Sequence, residues 1–381
     1  MNNKQYKYTK IIEMKFSIEK NKILKSLEEV IRAIDPNNIY MHLRNFYIEI
    51  LDEEIIIKGS NGYFSIENTI KNESTLYVEK IGKLLVPSNL FLNIVKKCSG
   101  KILLYSENNI LYIENNLDKY QINLLDYKEY PVIDFSLYGN KIKVEVEKIK
   151  KAINNVIFAS SQTKEDFILT GINIKYEDNK LMFTATDSFR LAREVIEIKD
   201  DRNISFDVTV VNKNLKNFIP NDAVGEIEFY ANEHKINVVY NNSNYQSKII
   251  DAPYKNVSQL FKVNFSKKIT IDKTILNNAI SKATVMSNDV VHNKIFIFVN
   301  KEEMKLSTHT DSIGSTSVIL KNNEFQYEGE EIQIILNYKF LKEAINVFND
   351  KINIHLIDSK NLILIDSEKS LNKQIISPMV S

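Results

Sequence analysis

Apolar residues recur along this chain in two rhythms, and the rhythms themselves repeat as a block. Residues 15–30 read KFSIEKNKILKSLEEV, residues 141–156 KIKVEVEKIKKAINNV and residues 268–283 KITIDKTILNNAISKA. In register, Phe16, Ile142 and Ile269 coincide, as do Ile18, Val144 and Ile271, and a spacing of two predicts a strand. Ile23, Ile149 and Leu276 coincide next, then Leu27, Ile153 and Ile280, and a spacing of four predicts a helix that buries one face. The copies lie about 126 residues apart. Solenoid repeats run to roughly 20–50 residues, so each copy is read as a whole domain.

Each copy holds a second strand–helix unit, at residues 83–105, 207–230 and 331–356, with Phe91, Leu215 and Leu341 at equivalent helix positions. Pro87, Val211 and Asn337 stand at the helix starts. The predicted helices are 19–33, 89–97, 146–158, 212–219, 272–284 and 337–348. Between them run short alternating segments such as EIIIKG, KLMFTATD, KINVVYN and NLILIDS, bounded by Asn, Asp, Gly or Ser, as expected of antiparallel strands joined by tight turns. The fold class is α+β: three repeated domains, each two strand–helix–strand units with helices lying on antiparallel sheets. The expected organisation is an extension over residues 1–13 and domains over 14–138, 139–263 and 264–381.

Composition narrows the function classes. The single cysteine, Cys98, excludes an intrachain disulfide and a cysteine-cluster zinc site. No apolar run reaches the roughly 18 residues of a membrane span, and the first residues lack the apolar core of an export signal, so a cytoplasmic protein is expected. The five histidines are scattered without metal-ligand spacing, and GxGxxG, GxxxxGK[ST] and GxSxG are absent from a chain with nine glycines. Neither catalysis nor a cofactor is expected.

The charge is +1 overall, but it is unevenly placed. The six predicted helices carry roughly +9 and the remainder roughly −8. A basic face built from repeated helices suits a phosphate backbone, although lysine on an exposed helix is also simple solvation and good helix propensity. Lysines expected to face a duplex are Lys25, Lys96, Lys97, Lys150, Lys151, Lys213, Lys216, Lys282 and Lys342. With helices about 10 Å apart, six cannot line a hole wide enough for DNA, whereas twelve give a circumference of about 120 Å and a clear bore of roughly 28 Å. Two chains are therefore needed to encircle a duplex.

TATDSFRLA at residues 184–192 resembles the central motif of the bacterial sliding clamps, the beta subunits of the replicative DNA polymerase. MKFSI at Met14, YPVID at 130–134, YKNVSQL at 254–260 and SPM at 377–379 match the same family in order, over nearly the whole chain from Met14. The resemblance implies a head-to-tail homodimeric ring on double-stranded DNA, placed there by a clamp loader and tethering the polymerase catalytic subunit. It also implies other proteins with clamp-binding motifs as partners, and no membrane. Lysine suits sliding, because a flexible point charge does not fix register as base-reading pairs do.

Carried over by position, the family's partner-peptide pocket comprises Leu169, Thr186, Ser188, Phe189, Arg190 and Leu191, then Lys255, Gln259 and Leu260, then Asn361, Ile375, Ser377, Pro378 and Met379. Arg190 stands out unaided: two of five arginines, Arg190 and Arg193, fall within four residues of a chain with 45 lysines. An ion pair with Asp187 is an alternative role, compatible with lining a pocket. Ser188 and Phe189 stand where the family has Gly and His, Lys255 where it has Pro, and Gln259 where it has Arg. The chain closes on Val380 and Ser381 in place of a basic or bulky pair, so the preferred peptide is expected to differ. The implied dimer contact joins Tyr120 and Ile122, on an edge strand, to Val285 and Met286. Two other classes stay open on residues alone: a β-rich scaffold binding protein or carbohydrate, and an enzyme acting on DNA.

Overall fold

The structure is a computed structural model that describes residues 12–163, 165–199, 203–287, 293–310, 313–357 and 362–379. Most of the expected extension, residues 1–11, lies outside the described residues. Helices form where the four-residue spacing placed them: α1 (Lys20–Val30), α2 (Ser88–Lys97), α3 (Val146–Val156), α4 (Asn212–Lys216), α5 (Lys273–Ala283) and α6 (Tyr338–Asn346). Asp272 caps α5 by accepting from Thr274 N at 2.7 Å, and Asn337 caps α6 by accepting from Lys339 N at 3.0 Å. The predicted faces are the buried ones: Ile23, Leu27 and Val30 of α1 are sealed, as are Ile149 and Ile153 of α3 and Leu276 and Ile280 of α5. Each such side chain contributes about 1.5–3 kcal/mol by leaving water. Helix α1 seats so closely that a Cβ on Gly59 would stand 2.7 Å from a Val30 side-chain carbon.

Helix α4 is shorter than the expected 212–219. Pro220 explains the early stop: it has no N–H to bond the Lys216 carbonyl, and it disfavours helical geometry at Ile219. Arg32 Nη2 then donates to the carbonyls of Asn217 at 2.6 Å and Ile219 at 3.2 Å.

Two compact units emerge, residues 1–146 with 213–249, and 147–212 with 250–381, so the central repeat is shared between them. Among the described residues every strand pairing is antiparallel. In the first unit a five-stranded sheet runs Leu76–Lys80, Met14–Glu19, Lys101–Glu107, Ile110–Asn115, Asp118–Asn123. Its eight-stranded sheet joins repeat two to repeat one by pairing Ser243–Lys248 with Phe64–Lys71. In the second unit a nine-stranded sheet joins repeat two to repeat three by pairing Arg190–Glu197 with Ser370–Ile376. A four-stranded sheet runs Gly314–Lys321, Glu303–Thr310, Lys294–Val299, Ile332–Asn337. The two seams use equivalent strands one repeat apart. The remaining strands of those two types, Gly314–Lys321 and Asp118–Asn123, each end a sheet, with one side unpaired among the described residues.

Tight turns are closed by Asn and Asp. Asn108, Asn109, Asn116, Asp178, Asn179 and Asn241 all take positive φ, a region that short polar side chains tolerate better than other non-glycine residues.

Candidate functional site

The segment TATDSFRLA crosses a hairpin turn in the second unit, between the strands Lys180–Thr186 and Arg190–Glu197. Asp187 shapes the turn: its Oδ1 accepts from the backbone N–H of Phe189 and of Arg190, both at 3.0 Å. Thr186 Oγ1 donates to Arg190 O at 2.6 Å and accepts from Ser188 N at 3.2 Å. Ser188 sits at φ +75°, a left-handed conformation that costs a residue bearing a Cβ about 1–2 kcal/mol. The turn thrusts Phe189 into solvent, 64% exposed.

Arg190 turns the other way and is 11% exposed. Its Nε donates to Asp187 Oδ2 at 2.9 Å, its Nη1 to Glu343 of α6 and its Nη2 to the carbonyl of Phe158 just beyond α3. The guanidinium lies 4.1 Å from the ring centre of Phe340. The pair with Asp187 is thus present, and Arg190 also ties α3 to α6 beside the seam. Arg193, on the same strand, stacks 4.1 Å over Phe261. Burial lowers its pKa, and its Nε has no hydrogen-bond partner.

The rest of the expected pocket assembles around this turn in part. Leu191 pairs in register with Ile375, and both are buried with Leu364 against Val257, Phe261, Phe265 and Leu362. Ser377 N donates to Phe189 O at 2.9 Å, and Met379 N to Ile335 O at 2.8 Å, leaving residues 377–379 half-buried beside the turn. Leu169 is buried in the short helix Phe167–Thr170, whose Phe167 is exposed. Burial raises the Tyr254 hydroxyl well above its usual range; the Thr186 backbone opposes this, and the nearby Asp166 and Asp187 carboxylates add to it. Lys255, Gln259 and Leu260 are exposed. Asn361 lies outside the described residues. Phe158, Phe340, Glu343 and Phe261 belong to the arrangement, and sequence reasoning missed them. The outcome is a surface with recessed apolar residues, an exposed aromatic and a fixed cation.

Of the nine expected DNA-facing lysines, seven are exposed on their helices, while Lys150 and Lys342 are half-buried. Lys96 pairs with Glu28 at 3.3 Å, and Lys342 donates to Ser281 at 3.1 Å. A cleft of about 600 Å³ in the first unit includes Lys22 and Lys25 in its wall; one of about 580 Å³ in the second includes Lys148 and Lys151, one repeat on. Val285 and Met286 are exposed after α5. Tyr120 and Ile122 lie on an edge strand as expected, but Ile122 is not an exposed side chain. It is 2% exposed and turned into the core opposite Leu111, so only its backbone is open to a partner.

Among the described residues, no helix is long and apolar enough to cross a membrane, and no three His, Cys, Asp or Glu cluster as metal ligands. Comparison with solved structures finds a DNA polymerase sliding clamp from Bacillus subtilis with a TM-score of 0.92 at 24% identity, covering 97% of this chain and 100% of that one. A Streptococcus pneumoniae DNA polymerase III beta chain matches with a TM-score of 0.90 at 23% identity, over 97% and 100%. The fold is therefore the clamp fold. In sequence, the beta sliding clamp of Mycoplasmopsis pulmonis is 32% identical over 378 residues, 96% of this chain and 99% of that protein, and the Mycoplasma capricolum beta sliding clamp is 27% identical over 373 residues. Profiles of the N-terminal, central and C-terminal domains of the DNA polymerase III beta subunit match residues 14–134, 143–256 and 258–380 in that order. With the three domains matched in sequence and the fold matched end to end, the chain belongs to the DNA polymerase III beta subunit family, the beta sliding clamps.

Proposed function

We propose that this chain is a processivity clamp that closes around duplex DNA as a head-to-tail homodimer and slides without reading sequence. The observation that carries the assembly is the pair of open sheet edges. Strand pairing already joins repeat one to two and repeat two to three, and the strands that would make a third such seam, Asp118–Asn123 and Gly314–Lys321, stand unpaired on one side. A second copy supplies the complementary edge at each end, with Val285 and Met286 beside one and Tyr120 on the other. Such closure also covers edges that would otherwise template aggregation. Helix lysines then hold the duplex by salt-sensitive attraction that leaves it free to move.

The chain acts as an accessory subunit: nucleotidyl transfer belongs to the polymerase it tethers, and the tether is the surface around Arg190, Leu191, Ile375 and residues 377–379. Clamp loader, polymerase and other motif-bearing proteins take turns there. Sedimentation equilibrium tests the assembly. The wild type is expected at twice the chain mass of 44.2 kDa, and Val285→Asp with Met286→Asp at the chain mass. A wild type that stays monomeric at micromolar concentration overturns the ring.

A further inference from the structure

The turn that presents Phe189 has a counterpart one repeat earlier, in the first unit. Asn61 Oδ1 accepts from Tyr63 N at 2.9 Å and Phe64 N at 2.8 Å, as Asp187 does from Phe189 and Arg190. Gly62, like Ser188, takes positive φ. Lys248 N donates to Tyr63 O at 2.9 Å, matching the bond from Ser377 N to Phe189 O. The short helix Met41–Arg44 matches Phe167–Thr170, with Leu43 and Leu169 buried and Met41 and Phe167 exposed at the same places.

What differs is the exposed apolar surface. Ile39, Tyr40 and Met41 are consecutive and 91%, 71% and 56% exposed, and Tyr63 is 65% exposed. Their loop is not loose. Asn38 Nδ2 donates to Asn61 O at 2.9 Å, Arg44 Nε to Asn38 O at 2.6 Å, and Asn45 Nδ2 to Met41 O at 2.7 Å. With these carbonyls held internally, the four side chains project from a fixed frame, which marks a binding surface more than a solvated loop. Its charged rim is mainly cationic: Arg44 is exposed on the short helix and Lys248 Nζ lies 5.9 Å from the Tyr63 ring centre, against the single carboxylate of Asp35 on the loop.

We infer that Ile39, Tyr40, Met41 and Tyr63 form a second docking surface for a short extended peptide with bulky apolar side chains flanked by carboxylates. The inference rests on the peptide-binding reading of the turn at residues 186–190, whose geometry it repeats. Phe64, sealed in the core, replaces Arg190 here, so the site lacks the fixed cation at its base and binds more weakly. It serves as a second foothold, and a partner bound at both surfaces gains from effective concentration without tighter contacts at either.

The test uses the full chain and a fluorescein-labelled octapeptide with leucine and phenylalanine between aspartates, read by anisotropy. Wild type should give two components, the weaker by about tenfold or more. Arg190→Ala with residues 377–381 removed should keep only the weak component. Tyr40→Ser with Tyr63→Ser should keep only the strong one, and Ile39→Asp should weaken the weak component by charge repulsion at an exposed position. A wild type with one component that Arg190→Ala abolishes overturns the second surface and leaves the first standing. No binding at all overturns both. A change of sedimenting mass in Tyr40→Ser with Tyr63→Ser would make the patch a contact between copies, which also overturns the inference.

Discussion

Replacing Arg190 by alanine separates its structural and recognition roles. The Nε–Asp187 bond joins side chains 11% and 16% exposed, near the regime in which removing one partner of a buried pair costs about 3–5 kcal/mol. Asp187 keeps two backbone donors, which holds the loss toward the lower end of that range. Glu343 is 46% exposed, so its contact belongs with surface pairs worth about 0–1 kcal/mol, and stacking on Phe340 adds about 0.5–2 kcal/mol. Since these contributions are not additive, Arg190→Ala is expected to cost the second unit about 2–4 kcal/mol. At a urea slope of about 2 kcal/mol/M, the middle of the usual range, the midpoint falls by roughly 1–2 M. Hydrogen exchange in the strand Arg190–Glu197 should report the same loss while the strand Phe64–Lys71 stays unchanged. Arg190→Lys should restore less than half, because an ammonium cannot fork to Asp187, Glu343 and the Phe158 carbonyl together. A loss below about 1 kcal/mol, or full rescue by lysine, refutes the network as the anchor of the turn.

Ser188→Gly should stabilise the chain by roughly 0.5–1 kcal/mol, because glycine adopts the φ of +75° without Cβ strain and loses part of that gain to its freer unfolded chain; a lower urea midpoint contradicts this. Glu194 is buried at the seam of repeats two and three and accepts from Asn155 at 2.8 Å and Asn372 at 2.7 Å, so Glu194→Ala, which strands two buried amides, should cost about 2–4 kcal/mol in urea unfolding. Burial opposes ionisation of Asp366, yet its bond to His355 at 3.1 Å and the contact with Asn353 bring its pKa below the ordinary 3.8. Stability from that carboxylate is present above 3.8 and lost as pH falls through the lower folded value, so Asp366→Asn should flatten the acid limb of a stability–pH profile below about pH 4.

Much of the fold was legible because domain-length repetition and local periodicity agree. Ile23, Ile149 and Leu276 align in sequence and are each sealed under a helix. The Asp187–Arg190 pair was legible too, being three residues apart on one turn. Phe158, Phe340 and Glu343 were not: they reach Arg190 from helices about 30 and 150 residues away, and only the seam between repeats brings them there. The burial of Ile122 was not legible for a different reason. On an edge strand it is the backbone that lies open, while alternation still turns every second side chain inward, and Ile122 is on that inward set with Leu111 opposite. Helix α4 fell short because Pro220 has no N–H to offer the Lys216 carbonyl, and Arg32 takes up the carbonyls of Asn217 and Ile219 left beyond the helix.

Topological retention tests the central claim most directly. The chain is loaded onto primed, nicked circular DNA with an ATP-dependent loader, washed in salt high enough to screen lysine–phosphate contacts, and measured before and after a restriction enzyme cuts the circle. The clamp account predicts retention on the closed circle and release within minutes of cutting. Equal dissociation from circle and linear DNA would contradict it.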